Sequence, residues 1–304
     1  MINLHDRQEI PKPNYVDYWD ILINKLSKMK RKFLYLSTIL AAVILVLIYA
    51  CQKDGSAGLS DNSAFSANSV EKNAVVATTT FDELNDFAQS GFDANNLKSL
   101  NLTFGNCPAI SVNFTTLPFS VLLDWGTGCK SGDGVTRSGK INISLSGMMG
   151  EKNSVATMKM ENFIVEDRKI SGITKITYLG LNPTNNWPKY GILTEGKIEF
   201  ADKSIITYRS ESVRLQSAGA GTASILDDTW RMEGSSRGVN KDGTTWTAKT
   251  TKVIIKKGDC KWYDSGILQI TPATGIVRTI DFGDGTCDNI AKLTVGDKVT
   301  QIKL

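Results

Sequence analysis

From about residue 98 to the C terminus apolar side chains return at every second position, and this period of two constrains the fold more than anything else in the chain. In GKINISLSG at 139–147 it puts Ile141, Ile143 and Leu145 on one face and Asn142 and Ser144 on the other, as a half-buried strand requires. The same alternation runs through SVATMKMENFIV, ISGITKITYLG, GILTEGKIEF, KSIITYRSESVRL, TTWTAKTTKVIIK and IAKLTV. Turn-forming groups separate the runs: Asp167-Arg168-Lys169, Ala201-Asp202-Lys203, Lys241-Asp242-Gly243 and Gly296-Asp297-Lys298. Together they predict an all-β body of about a dozen antiparallel strands joined by hairpins. One polar face per strand points to a sandwich, a roll or a strongly curved sheet, since a parallel sheet buried on both sides would not alternate. An outer-membrane barrel fits poorly, because its spanning strands are longer and carry aromatic girdles. No Pro-rich or charged linker divides 98–304, so the region reads as one domain.

Ahead of the strands, residues 52–76 are rich in Ser, Asn, Ala and Gly and read as a flexible tether. A short helix is expected next, because Thr80-Phe81-Asp82-Glu83 has capping-box spacing and Phe81, Leu84, Phe87 and Ala88 share a face. Gly91 would end it. The β-rich body is thus expected over 77–304.

The first fifty residues are processing signal rather than fold. Lys28, Lys30, Arg31 and Lys32 precede the uncharged run FLYLSTILAAVILVLIYA at 33–50, which ends at Cys51. A basic segment followed by an apolar one is the layout of an export signal. Ile48-Tyr49-Ala50-Cys51 resembles a bacterial lipobox, in which the cysteine sulfur takes a diacylglycerol and the signal is cut just before it. Tyr49 is bulkier than is usual at that position. The alternative is an uncleaved anchor, since the run approaches the ~20 residues needed to span a bilayer. Met29 would make an equally good start, giving a compact signal beginning MKRKFLYLSTIL. The opening CQKDG is similar to the surface-export signal that follows the lipid cysteine in Bacteroidota lipoproteins.

Removing the signal changes the electrostatic argument. Seven of the 35 Lys and Arg but only four of the 31 Asp and Glu precede Cys51, leaving 28 basic and 27 acidic residues and a net charge of +1. No basic footprint for nucleic acid survives. The single histidine, His5, is also removed, which excludes His-based triads, imidazole zinc sites and histidine general bases from the mature chain. No cofactor is implied.

Four cysteines follow Cys51: Cys107, Cys129, Cys260 and Cys287. An even number in an exported chain favours disulfides, with three connectivities open. The segments 107–129 and 260–287 share a plan: Cys, extended apolar runs with a Pro between them, Asp-aromatic-Gly, Cys. That parallel favours Cys107 with Cys129 and Cys260 with Cys287, within two related units at 107–147 and 260–304.

The densest cluster of chemical groups, DFGDGTCDN at 281–289, belongs to the second unit. A kinase-like DFG means nothing without a Gly-rich loop, a strand lysine and a catalytic loop, none of which is present. Asp281, Asp284 and Asp288 could offer calcium hard oxygen ligands, but the spacing fits no EF-hand and DWGTGC at 124–129 keeps only Asp124. A structural turn accounts for both copies: Asp124 and Asp281 accept backbone N–H groups, Trp125 and Phe282 pack inward, Gly126 and Gly283 turn the chain, and the cysteine fastens it.

Three further features carry a bland reading beside a functional one. CKSGDGVTRSGK at 129–140 could cradle an anion but lacks P-loop order, and reads as a long hairpin loop with an Asp133-Arg137 pair. A glycosidase needs two facing carboxylates, for which Glu195 with Glu199, or Asp227 and Asp228, are the candidates. Trp187, Trp230, Trp246 and Trp262 would bind sugars or partner side chains if exposed on a common face, and are core residues otherwise.

As a set, the lipobox at Cys51, the paired Asp-aromatic-Gly…Cys units and GDGVTRSGKI resemble a family of uncharacterised Bacteroidota cell-envelope lipoproteins. The resemblance covers most of 107–304, implies location and architecture, and carries over no catalytic residue. The expectation is a surface-exposed outer-membrane lipoprotein, anchored through Cys51, acting as a binding or structural module. Its expected partners are a glycan or an envelope protein, with no role for nucleic acid. The alternatives are a carboxylate-dependent glycan hydrolase and a lipid-handling carrier, and the residues favour binding over catalysis.

Overall fold

In the computed structural model strands adjacent in the chain pair with one another, except that the second passes over the short third to pair with the fourth. The model describes residues 69–90, 107–148, 150–222 and 224–304, all within one compact unit, 60–304. The signal segment, Met29, Cys51, tether residues 52–68 and Gly91 lie outside the described residues. The first strands are β1 (Ala109–Asn113), β2 (Phe119–Asp124), β3 (Cys129–Lys130), β4 (Thr136–Leu145) and β5 (Val155–Val165). There follow β6 (Arg168–Leu181), β7 (Pro188–Glu199), β8 (Ile205–Ala218), β9 (Thr229–Val239) and β10 (Thr245–Lys257). The last are β11 (Ser265–Pro272), β12 (Arg278–Asp284), β13 (Ile290–Val295) and β14 (Lys298–Lys303). They form one antiparallel 14-stranded sheet, with the short β3 attached only to β4. β1 and β14 do not pair, so the sheet is a curved, open one and not a closed barrel or two separate layers.

The inner face carries the side chains that the period of two selects. Leu123, Ile141, Ile143, Met158, Ile176, Ile192, Ile198, Ile206, Ile270, Ile280, Leu293 and Ile302 are buried from one end of the sheet to the other. Among the described residues, what they bury against is one helix, α1 (Val70–Ser90).

This helix begins well before Thr80, so the part of the expected tether from Val70 to Val76 is helical, and Thr80 is an interior residue instead of a cap. The cap is Ser69, whose carbonyl accepts from the Asn73 N–H at 3.0 Å and whose Oγ lies 3.3 Å from the Lys72 nitrogen. The reason is packing. Val70, Ala74, Ala77, Phe81, Leu84 and Ala88 follow a three-four spacing and all are buried. At about 1.5 Å per residue the helix is roughly 31 Å long, shorter than the longest strands but enough to cover most of their length. No helix among the described residues is long and apolar enough to cross a membrane.

Side chains from β4 to β12 reach α1, so the sheet curls around it. The closest approach is at Phe81, which stacks on Tyr208 of β8 with ring centroids 5.1 Å apart and planes 4° from parallel. Gly196 of β7, paired with Tyr208, makes this possible: a Cβ there would lie 2.3 Å from the Phe81 ring. Burial of a Phe of this kind contributes about 1.5–3 kcal/mol.

Candidate ligand-binding site

α1 presents its carboxylates to basic side chains of the sheet. Arg214 of β8, 1% exposed, donates from Nη1 to Asp86 Oδ1 at 2.6 Å and to Gln89 Oε1 at 3.1 Å, and its Nη2 lies 3.0 Å from Asp82 Oδ1. Lys256 of β10 reaches Asp86 Oδ2 at 2.5 Å, and the Tyr263 hydroxyl donates to Asp82 Oδ2. Arg137 of β4 sits between Glu83 and Asp133, the latter at 2.8 Å, with its guanidinium 5.3 Å from the Phe87 ring centre. Arg278 of β12 donates to Glu71 at 2.8 Å. Burial pushes the Asp86 carboxyl up, but Lys256 and Arg214 outweigh it and hold the group below its ordinary value. Burial also opposes the Arg214 charge, and Asp82 and Asp86 overcome that and raise its pKa.

Alongside α1 lies a cavity of about 980 Å³. Val76, Thr79, Glu83 and Phe87 of the helix line it, with Tyr178 of β6, Tyr190 of β7 and Trp230 of β9 opposite and the loops 219–228 and 258–263 around it. Tyr178 and Tyr190 are register partners with ring centroids 5.4 Å apart, and Tyr190 meets Trp230 at 5.9 Å. Asp228, 8% exposed, belongs to the same wall and accepts from Gln216 Nε2 at 2.8 Å. Burial pushes its carboxyl up to about 6, Gln216 acts against that, and Asp227 and Asp86 add to it. Burial, with Tyr178 and Asp228 nearby, pushes the Tyr190 hydroxyl up to about 12.

The Asp-aromatic-Gly units are turns fastened to the helix. Gly126 N–H donates to Asp124 Oδ1 at 2.8 Å and Gly283 N–H to Asp281 Oδ1 at 3.0 Å, with φ of +58° and +104° at the two glycines. Trp125 and Phe282 are buried. Trp125 packs on Phe87 of α1 at 5.8 Å, and Phe282 packs at 4.9 Å on Tyr263, the residue bonded to Asp82. The disulfides join Cys107 to Cys129 and Cys260 to Cys287, each across the open end of a hairpin.

Asp284 and Asp288 serve their own turns, accepting from Thr286 Oγ1 at 3.0 Å and from Ile290 N–H at 2.8 Å. Among the described residues no group of three His, Cys, Asp or Glu could hold a metal ion. Glu195 and Glu199 pair with Arg209 at 2.6 Å and Lys203 at 3.3 Å, apart from the cavity. Lys140 pairs with Asp124 at 3.1 Å, so Arg137 and Lys140 of the 129–140 segment are both engaged by carboxylates.

Trp230 and Trp246 are 8% and 2% exposed, so they make no common outer face. Trp187 and Trp262 are half-buried, under Arg231 and Lys261. The aromatic surface faces inward, into the core and the cavity.

Sequence reasoning missed the cavity's own residues, Tyr178, Tyr190 and Gln216, and the helix partners Arg214 and Lys256. Only the unbroken three-four spacing from Val70 could have pointed to a helix of this length. No family model, no curated protein and no solved structure matches the chain.

Proposed function

We propose that this chain is an exported, lipid-anchored binding module of the cell envelope, whose β body holds a small ligand in the cavity beside α1. The observation that carries the reading is the cavity itself. At about 980 Å³ it falls near the upper end of ligand-sized pockets, and it combines aromatic walls with charged groups, Asp86, Asp228, Lys256 and Lys257 among them, that could orient a guest. The lipobox at Cys51 and two cystine bridges fit an oxidising compartment outside the cytoplasm. A hydrolytic role is less well supported, because Asp86, the carboxylate nearest in role to a partner for Asp228, is engaged by Arg214 and Lys256. A carrier with an open concave groove is also less well supported, because α1 fills the inner face.

The test is a ligand screen on the full chain, comparing oligosaccharides, peptides and small amines by thermal unfolding. A ligand at 100 times its Kd should add about 2.7 kcal/mol of stability, and Tyr190→Ala should remove that shift while unfolding stays cooperative. A panel with no shift in any class would reject the cavity as a ligand site. For the anchor, Cys51→Ala should abolish lipid labelling and release the protein from membranes. Unchanged labelling would reject the lipobox.

A further inference from the structure

We propose that Asp228, with Tyr178, Tyr190 and Trp230, forms a receptor for an organic ammonium group, so that the ligand of the cavity is an amine, primary or quaternary. The inference rests on the cavity being a ligand site and names what that site selects.

Asp228 differs from the other carboxylates around it. Asp82, Glu83, Asp86 and Asp133 also line the cavity, and each meets an arginine. Asp228 is more than nine-tenths buried, and among the described residues it forms no ion pair, its partner being the neutral amide of Gln216. A buried carboxylate without a cation is costly, and folds seldom retain one without a use for it. Of the four cations that line the cavity, Lys256 is paired with Asp86, Lys257 with Asp264, and Lys261 sits over the Trp262 ring, while Arg168 lies on β6.

The backbone makes room for this carboxylate. Gly219 takes φ of +79°, and a Cβ there would lie 2.2 Å from Asp228 Oδ1 and 2.8 Å from its backbone nitrogen. Any other residue at 219 would displace the acid.

The rings beside Asp228 supply the second half of a cation receptor. The planes of Tyr178 and Tyr190 are inclined by 48°, and those of Tyr190 and Trp230 by 62°. The three rings pack on one another and line the cavity that Asp228 also lines, and a cation within about 6 Å of a ring face turned to that cavity is attracted by its quadrupole. The negative charge of Asp228 and the negative ring faces then act on one guest. Its elevated pKa is the expected signature of a carboxylate that lacks this guest. A neutral sugar could donate a charge-assisted hydrogen bond to the same oxygen, but would gain neither ion pairing nor attraction to the ring faces.

The experiment is calorimetric titration of the full chain with tetramethylammonium, choline, butylammonium and the uncharged carbon isostere of choline. Choline should bind at least about tenfold more tightly than its isostere, and Asp228→Asn should erase that preference. Tyr190→Leu should weaken choline by a similar factor, with cooperative unfolding showing that both variants fold. Equal binding of choline and its isostere, or an unchanged preference in Asp228→Asn, overturns the proposal. Binding of neutral oligosaccharides but no ammonium compound overturns it too, while leaving the cavity as a ligand site. Silence of every compound class removes both.

Discussion

Asp228 holds its proton more tightly in the folded chain than in the unfolded one, because burial raises the carboxyl from 3.8 to about 6. Its contribution to stability is therefore fully present below the unfolded value, declines as pH rises from 3.8 to about 6, and is flat above that. Asp86 and Asp133 act in the opposite sense. Arg214 and Lys256 lower the first and Arg137 the second against burial, so their stabilisation is present above 3.8 and is lost as pH falls through their lower folded values. Gln216, Asp227 and Asp86 act on the Asp228 carboxyl and none supplies a positive charge, while Lys256 and Lys257, which line the same cavity with Lys261 and Arg168, are paired with Asp86 and Asp264. Asp228→Asn should thus raise the Tm relative to the parent by an amount that grows between about pH 4 and pH 6 and then levels off. Scanning fluorimetry across that range checks it, and a difference independent of pH would show that the acid is not held without a counter-charge. The turns at Asp124 and Asp281 were legible because each bond spans two residues. The state of Asp228 was not, since it depends on Gln216 and Gly219 folding back onto it and on the cavity that it shares with β6, β7 and the helix.

At the scale of the element, α1 is stabilised from outside itself. An isolated helix of this composition would be marginal, and ion pairs from β4, β8, β10 and β12 accompany its apolar stripe. Arg214→Met would leave Asp82 and Asp86 facing each other in the interior with one cation fewer. It should cost about 3–5 kcal/mol in chemical denaturation, as loss of one member of a buried ion network does. Adding Asp82→Asn in that background should recover part of the loss, since the stranded charge is then removed. A cost below about 1 kcal/mol would show that the helix is held by its apolar face alone. The strands were readable from alternation, because one residue in two must face the core whatever the neighbouring strand. The helix was readable only in part, because its first two turns are built from Val, Glu, Lys, Asn and Ala, residues that serve equally well in a tether.

For the whole molecule, one disulfide sits on the β1–β2 hairpin at one edge of the sheet and the other on β11–β12, two strands in from the opposite edge. An open sheet has two free edges, and these bridges secure the hairpins from which the helix receives Trp125 and Tyr263. With sequence separations of 22 and 27, each should contribute about 3 kcal/mol by restricting the unfolded chain. Denaturation of Cys107→Ser/Cys129→Ser and of Cys260→Ser/Cys287→Ser should show similar losses, nearly additive because the loops do not overlap. An unchanged midpoint in either pair would mean that its unit is held by packing alone. The sequence by itself determined an antiparallel all-β body, because side-chain direction in a strand follows from position alone. It also pointed to the pairing of its cysteines, through the parallel between the two halves. Only the tertiary structure decided that the sheet is one continuous layer curled around a helix, and that the uncharged partner of Asp228 and three aromatic rings share a cavity. Burial and charge pairing depend on which distant strands curvature brings together, and no local pattern encodes that distance.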